Sequence, residues 1–291
     1  MAALALIISS LSWSIGSAVY KQASATAGIL QINLFRCAVS VILGGLTAVW
    51  LGGIGPLLAA PGDQLLVMAG SGILARLFGD TLFFMSAARI GLSRAMPIAA
   101  IYPVWSVMIG HLKGEPTSAR EVVAMLVTLA GVLLVIQSGH IRGPARARGH
   151  QVQRSGYLIA VACSWVWAFG MLSAKWSAGG INPFLINIVR MGAGGLALVV
   201  VLAWQRKPLF PHIRMGRGKV AAASVLESWL ASACYIYGLA NTSTAVGSTL
   251  SSLSPVFTIP VAAIYLRERV SLPLVAGIIL ATAGVVGLVA R

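Results

Sequence analysis

Long apolar runs alternate with short polar stretches along the whole chain. A helix needs about 20 mostly apolar residues to cross the hydrocarbon core of a bilayer. Runs of this kind predict ten membrane-spanning helices, at about 2–20, 29–53, 64–86, 92–111, 120–138, 156–174, 183–205, 219–240, 243–265 and 270–290. We interpret the first as a retained helix and not as a signal peptide, because no basic segment precedes it and no cleavage pattern follows it. The pattern therefore predicts an all-α integral membrane protein.

The second half of the chain repeats the first. The identities at a shift of 154 residues are Trp13 with Trp167, Gly16 with Gly170, Lys21 with Lys175, Ile32 with Ile186, Asn33 with Asn187 and Arg36 with Arg190. We predict two units of five helices, 1–139 and 156–291, joined by a basic linker at 140–155. Because five is an odd number, the second unit must enter the membrane in the opposite orientation. Such an inverted-topology repeat is typical of secondary transporters.

Composition supports the membrane assignment. The 291 residues are 58% hydrophobic and 9% charged, with a mean hydropathy of +0.90, whereas soluble domains carry about 25% charged residues. The net charge of +15 falls mostly between apolar runs, which predicts contact with lipid headgroups and not with nucleic acid. The three cysteines lie in apolar runs without metal-binding spacing, so we expect neither a metal nor a cofactor.

Three ionisable residues lie deep inside predicted spans. Arg76 and Asp80 are four residues apart, and hence on one face of the third helix, while Glu227 lies in the eighth. At a shift of 152, Arg76 falls on Ser228, beside Glu227, which predicts a similar depth. A lone charge at the bilayer centre costs about 2.5–3.5 kcal/mol or more. These groups are therefore either a static ion-pair network or the lining of a transport cavity, with Asp80 and Glu227 as candidates for proton coupling.

Aromatic, hydroxyl and proline residues complete the predicted site. Trp13 and Trp167 lie within their spans, which favours cavity walls, with helix packing as the alternative. Prolines in the fourth and ninth spans each remove a helical hydrogen bond, and breaks in matching helices are typical of transporter binding sites. The predicted substrate-binding residues are Trp13, Arg76, Asp80, Tyr102, Trp167, Glu227 and Ser254, and the predicted helix breaks are at Pro97, Pro103, Pro255 and Pro260.

Other features of the repeat are interpreted as structural. Arg36 and Arg190 lie several residues inside the second helix of each half, and we expect them to snorkel to the interface or to cap a neighbouring helix end. Gly131, Gly277 and Gly284 in the last helix of each half predict close helix packing. The sequence is compatible with a monomer or a homodimer.

The segment GLANTSTAVGSTLSSLSPVFTIPVAAIYLRERVSLPLVAGIILATAGVVGLV, residues 238–289, resembles the end of an EamA domain. Residues 103–135 repeat its Pro-Val, Glu and Ala-Gly-Val elements. The resemblance implies the ten-helix branch of the drug/metabolite transporter superfamily, which includes YddG-type amino-acid exporters and carriers of nucleotide sugars and triose phosphates. The stretch LSWSIGSAVYK, residues 11–21, also resembles the first helix of small multidrug resistance proteins. Those proteins carry a proton-binding glutamate where this chain has Trp13.

The repeat and the resemblance together favour a secondary transporter working by alternating access. The expected substrate is a small polar or amphipathic metabolite, above all an amino acid that is exported. The alternatives within transport are a proton-coupled exporter of cationic drugs and an exchanger of sugar phosphates or nucleotide sugars. An enzyme is not expected, because the chain has no metalloprotease motif, no phosphate-binding glycine loop with lysine, and no Ser/His/Asp set.

Basic residues are distributed unequally between the two sides of the membrane. Fourteen Lys and Arg follow odd-numbered predicted spans, and four lie on the other side. The positive-inside rule then places the termini outside the cytoplasmic membrane of a bacterium or archaeon. The family resemblance implies the opposite orientation, with both termini in the cytoplasm.

Overall fold

The computed structural model describes residues 1–112, 118–138, 154–209, 213–242, 247, 250–251, 253–268 and 270–287, and these contain helices but no β-strand. Six described helices are long and apolar enough to cross a membrane. They are α1 (Ala2–Ala27), α2 (Ile29–Trp50), α4 (Gly62–Ile90), α8 (Ser155–Trp176), α9 (Pro183–Trp204) and α10 (Arg217–Ala240). The other described helices are α3 (Gly55–Leu58), α5 (Leu92–Ala99), α6 (Tyr102–Leu112), α7 (Ala119–Ser138), α11 (Ser254–Tyr265) and α12 (Leu272–Gly287).

Six of the ten predicted spans are thus helices of spanning length, and several are longer than predicted. The first continues to Ala27, and the third covers Gly62–Ile90. The fourth predicted span is divided into α5 and α6. The fifth, ninth and tenth coincide with α7, α11 and α12, and parts of the ninth and tenth lie outside the described residues.

The helix breaks fall next to two of the four predicted prolines. Pro103 is the second residue of α6 and Pro255 the second of α11, where the missing N–H is harmless because first-turn N–H groups have no intrahelical partner. Pro97 and Pro260, in contrast, lie inside α5 and α11, which continue through them. The prediction of a break at these two positions is therefore wrong, since a proline that removes a single hydrogen bond did not end either helix.

The outer surface is apolar, as expected of a protein that faces lipid. Leu46 is 65% and Leu196 67% exposed on α2 and α9. Trp50 and Trp204, which end the same two helices, are each 84% exposed. Gly44 of α2 lies beside Ile188 of α9, and Gly195 of α9 lies beside Cys37 of α2, so the two helices run antiparallel. Tryptophan is enriched where a membrane meets water, so Trp50 and Trp204 mark opposite boundaries of the membrane.

Glycines allow α7 and α12 to pack with their backbones in contact. A Cβ atom at Gly131 would lie 2.2 Å from the backbone nitrogen of Ala281, and one at Gly284 would lie 2.4 Å from that of Thr128. In lipid, helices associate largely by this kind of close packing through small residues. The small-residue faces predicted for the last helix of each half are therefore used within the chain.

Glu268 connects three segments at one end of the helices. Its carboxylate accepts hydrogen bonds from the N–H groups of Leu92, at 2.8 Å, and Ser93, at 3.0 Å, and pairs with the Lys21 ammonium. The first N–H groups of a helix lack intrahelical partners and carry partial positive charge, so the carboxylate stabilises the start of α5. Burial opposes ionisation, but Lys21 and the backbone donors outweigh it and hold the pKa of Glu268 below its ordinary value.

We expect Glu268→Gln to lower the melting temperature in detergent, because hydrogen bonds to a charged group contribute about 1.5–3 kcal/mol. Since the folded-state pKa is lowered, the carboxylate stabilises the protein above its unfolded pKa of about 4.3. That stabilisation is lost as the pH falls through the folded-state pKa.

The melting temperature of the wild type should therefore fall more steeply than that of Glu268→Gln between about pH 5 and pH 3. Asp63→Asn is the matched control, because Asp63 is an exposed carboxylate in the first turn of α4. Parallel pH profiles for the wild type and Glu268→Gln would show that the Glu268 contacts do not stabilise the fold.

Candidate functional site

A cavity of about 110 Å³ lies among α1, α4, α8, α9 and α10, beside the broken fourth and ninth spans. All seven predicted substrate-binding residues line it: Trp13, Arg76, Asp80, Tyr102, Trp167, Glu227 and Ser254. Arg190, which the sequence predicts to snorkel to the interface or to cap a helix end, lines the same cavity. Among the described residues no group of His, Cys, Asp or Glu side chains could hold a metal ion.

Arg36 lies at the centre of a buried ion-pair network. Its Nη2 donates to both carboxylate oxygens of Glu227, at 3.0 and 2.9 Å, and its Nη1 lies 3.1 Å from Asp80. Arg36 is only 1% exposed, so the prediction that it snorkels or caps a helix end is wrong. A cation this deeply buried is tolerated when carboxylates pair with it, and here they come from α4 and α10.

The remaining contacts complete the neutralisation of these groups. Arg76 pairs with Asp80 at 2.7 Å and lies 3.8 Å from Glu227. Glu227 also accepts hydrogen bonds from the hydroxyls of Tyr20, at 3.1 Å, and Ser228, at 2.5 Å. The three charged residues predicted from the sequence are thus brought together, and Arg36 is the partner that the prediction missed.

A π-helical turn occurs at the charged residues in both α4 and α10. These turns span Leu74–Gly79 and Val225–Ala231, and π-helical turns are frequent at functional sites. In each turn, a backbone carbonyl accepts a hydrogen bond from an asparagine side chain. The Asn33 amide donates to the carbonyl of Arg76 at 3.3 Å, and the Asn187 amide donates to the carbonyl of Ser228 at 2.9 Å. These asparagines align at a shift of 154, and their two acceptors align at a shift of 152.

Aromatic rings form one wall of the cavity. The indoles of Trp13 and Trp167 meet edge to face, with centroids 5.6 Å apart, and Phe83 lies 5.2 Å from Trp167. The Arg76 guanidinium lies 6.0 Å from the Trp13 ring, within the range of a cation–π contact. The two tryptophans therefore line the cavity and also pack against neighbouring helices.

The ion-pair network closes one end of the cavity. Along α1, Trp13 lines the cavity, whereas Gly16 packs on the side chain of Glu227 and the Tyr20 hydroxyl bonds to its carboxylate. A Cβ atom at position 16 would lie 2.8 Å from that of Glu227, so only glycine permits this approach. Lys21, the residue that follows Tyr20, pairs with Glu268.

Hydroxyls of α1 satisfy backbone carbonyls at the broken ninth span. Pro255 has no N–H, which leaves the carbonyl of Ser251 without its helical donor. The hydroxyl of Ser10 donates to this carbonyl at 3.2 Å, and that of Ser14 donates to the carbonyl of Ser254 at 2.9 Å. The break beside the cavity is therefore stabilised by the first helix of the other half.

Comparison with known proteins gives a family and a fold. The model of the family described as the EamA-like transporter family matches residues 1–137 and again 154–290. A protein named "Uncharacterized transporter" from Archaeoglobus fulgidus is 26% identical over 216 residues, which are 73% of this chain and 72% of that protein. A solved crystal structure shares the fold with a TM-score of 0.69 and 19% identity, over 98% of this chain and 95% of its own.

We expect Arg36→Gln and Glu227→Gln each to destabilise the protein by about 3–5 kcal/mol, because either change leaves a buried charge uncompensated. In the double variant both members of the pair are neutral, so the loss should be clearly smaller than the sum of the single losses. Thermal unfolding in detergent measures all three, with Arg214→Gln, at an exposed arginine, as the control. Additive losses would contradict direct coupling between Arg36 and Glu227.

Two glycines near Trp167 should respond differently to alanine. A Cβ atom at Gly79 would lie 2.6 Å from the Trp167 ring, whereas the nearest atoms to one at Gly170 lie 3.9 Å away. Gly79→Ala should therefore cost about 1–3 kcal/mol through overpacking. Gly170→Ala should be neutral or stabilising by up to about 1 kcal/mol. Equal melting temperatures for the two variants would show that Trp167 moves aside freely.

Proposed function

The chain belongs to the EamA-like transporter family, and from that premise we propose that it is a secondary transporter of a small amino-acid-type solute. Membership makes it a multi-pass membrane transporter and not an enzyme. We propose further that it exports its solute from a bacterial or archaeal cell by alternating access. The observation that carries this proposal is the cavity itself, because paired charges and aromatic rings line a small space in the middle of long apolar helices.

We propose that the chain forms ten spans in two inverted halves, 1–139 and 156–291. The family model matches the chain twice, over regions close to these halves. Corresponding asparagines bond to corresponding carbonyls in α4 and α10, and helices begin at Tyr102-Pro103 and at Ser254-Pro255. Pairs of interrupted helices around a central site are a feature of transporters built from inverted repeats.

Alternating access would require the closed end of the cavity to open. That end is held by residues of both halves, since Glu268 binds Lys21 and the start of α5, while Glu227 binds Arg36 and Tyr20. Rocking the halves apart at this end would separate these pairs and admit the solute from the other side of the membrane. The contacts therefore act as the gate in this proposal.

The size and charge of the cavity favour a small solute over the alternatives. Its volume of about 110 Å³ lies below the roughly 300–1,000 Å³ of sites for drug-sized ligands, which disfavours nucleotide sugars. Asp80 and Glu227 are both paired with arginines, so a cationic drug would have to displace a guanidinium. Proton coupling at either carboxylate would likewise require its release from Arg36.

The proposal predicts saturable counterflow of labelled amino acids by the purified protein in liposomes. We expect Glu227→Gln, if it remains folded, to abolish exchange, because it releases the Arg36 contact at the closed end. The exposed Asp63→Asn should transport like the wild type. A dependence on the pH gradient that is lost in Asp80→Asn would identify Asp80 as the proton-coupling residue, and one that survives in Asp80→Asn would leave Glu227 as the candidate.

Two outcomes would overturn the substrate assignment. If none of the labelled amino acids is exchanged but cationic drugs are, the protein is better described as a drug exporter. If sugar phosphates are exchanged instead, it is better described as a metabolite exchanger. Flux that does not saturate and shows no counterflow would contradict a carrier mechanism altogether.

A further inference from the structure

Arg190 is a buried cation in the cavity, and none of the ion pairs among the residues that the structure describes includes it. It is 4% exposed, and its Nη1 atom is buried and forms no hydrogen bond. The ion pairs of the described residues involve Lys21, Arg36 and Arg76, but not Arg190. Arginine stays protonated in proteins, and a charge inside the membrane normally has a partner. The guanidinium therefore requires an anion from elsewhere.

The sequence repeat explains why this arginine is left unpaired. Arg190 corresponds to Arg36, which is neutralised by two carboxylates. At the shift of 152 that aligns α4 with α10, those two carboxylates correspond to Ala75 and Ser232. Ala75 and Ser232 both line the cavity. Where the first arginine meets acids of the protein, the second lines a cavity that it shares with the small Ala75 and the neutral Ser232.

We propose that Arg190 binds the carboxylate of the transported solute, which occupies the position that Glu227 occupies beside Arg36. The guanidinium is a planar fork that matches a carboxylate through two parallel hydrogen bonds. The inference deepens the proposed function and rests on it, because it names the group of the solute that the cavity recognises. Arg76 is less suited to this role, since it already pairs with Asp80 at 2.7 Å.

The charge balance of the site supports an anionic group and not a cationic one. Three arginines, Arg36, Arg76 and Arg190, share the site with the two carboxylates of Asp80 and Glu227. One positive charge remains, which a single carboxylate neutralises. The rest of the solute would lie against the indoles of Trp13 and Trp167. These rings are apolar, and the face of an indole can also contact an ammonium group.

The first test measures stability without any solute. Arg190→Gln removes an uncompensated buried charge, so it should raise the melting temperature, whereas the corresponding Arg36→Gln should lower it. Ala75→Glu should also raise it, because it supplies the carboxylate that the first half lacks. Ala75→Gln, which has nearly the same size but no charge, is its control. A fall in melting temperature for both Arg190→Gln and Ala75→Glu would overturn the proposal, since Arg190 would then already have a partner.

The second test measures binding of matched probes by thermal shift. L-phenylalanine, 3-phenylpropionate and 2-phenylethylamine share a ring and differ in their charged groups, and L-alanine, propionate and ethylamine form a smaller set. We expect the carboxylate-bearing probes of at least one set to raise the melting temperature of the wild type and of Ala75→Gln. The shift should vanish in Arg190→Gln and Ala75→Glu and weaken in Arg190→Lys. An equal shift by the amines, or a carboxylate shift that survives in Arg190→Gln, would overturn the proposal.

Counterflow of the binding probe then separates this inference from the proposed function. Apparent affinity should fall at least about tenfold in Arg190→Gln, as expected when one partner of a buried charged pair is removed. Carboxylate-dependent binding without any counterflow would support the Arg190 site and contradict the transporter assignment. Counterflow that is indifferent to Arg190→Gln and Ala75→Glu would support transport and contradict the Arg190 site.

Discussion

Charges buried among apolar helices must be neutralised inside the protein, and the centre of this molecule is organised by that requirement. Arg36 on α2 is held by Glu227 on α10 and Asp80 on α4, so one guanidinium links helices of both halves. The pairing depends on local backbone geometry as well. Gly16 permits α1 to approach Glu227, and Asn33 and Asn187 satisfy carbonyls in the π-helical turns that carry the charged residues.

The same requirement distinguishes the paired Arg36 from Arg190, for which we propose a role in binding the solute. Arg36 and Arg190 are equivalent in the sequence repeat, but only Arg36 has carboxylate partners in the described part of the chain. Ala75 and Ser232 stand at the positions that correspond to Glu227 and Asp80, which leaves the charge of Arg190 for the proposed ligand. The asymmetry between the halves, more than their similarity, therefore indicates where a solute would bind.

Much of this arrangement could be predicted from the sequence, and the exceptions have physical causes. Arg76, Asp80 and Glu227 were recognised because a charge in an apolar run is costly and hence conspicuous. Arg36 carries the same signal, but its position in the sequence favours snorkelling or the capping of a helix end, because its depth depends on helix packing and not on its distance from the end of an apolar run. The π-helical turns at Leu74–Gly79 and Val225–Ala231 were not predicted, since no residue type marks them. The predicted helix breaks occur next to Pro103 and Pro255, which lie in the first turn of a helix. They do not occur at Pro97 or Pro260, which lie inside helices.

The decisive experiment on the role of Arg190 is an experimental structure of the protein with a bound probe that carries a carboxylate. We expect the carboxylate to lie within hydrogen-bond distance of the Arg190 guanidinium, at about 2.7–2.9 Å, with Arg36 still paired to Glu227 and Asp80. A solute held instead by its ammonium against Glu227 or Asp80, with Arg36 released and Arg190 unoccupied, would contradict it.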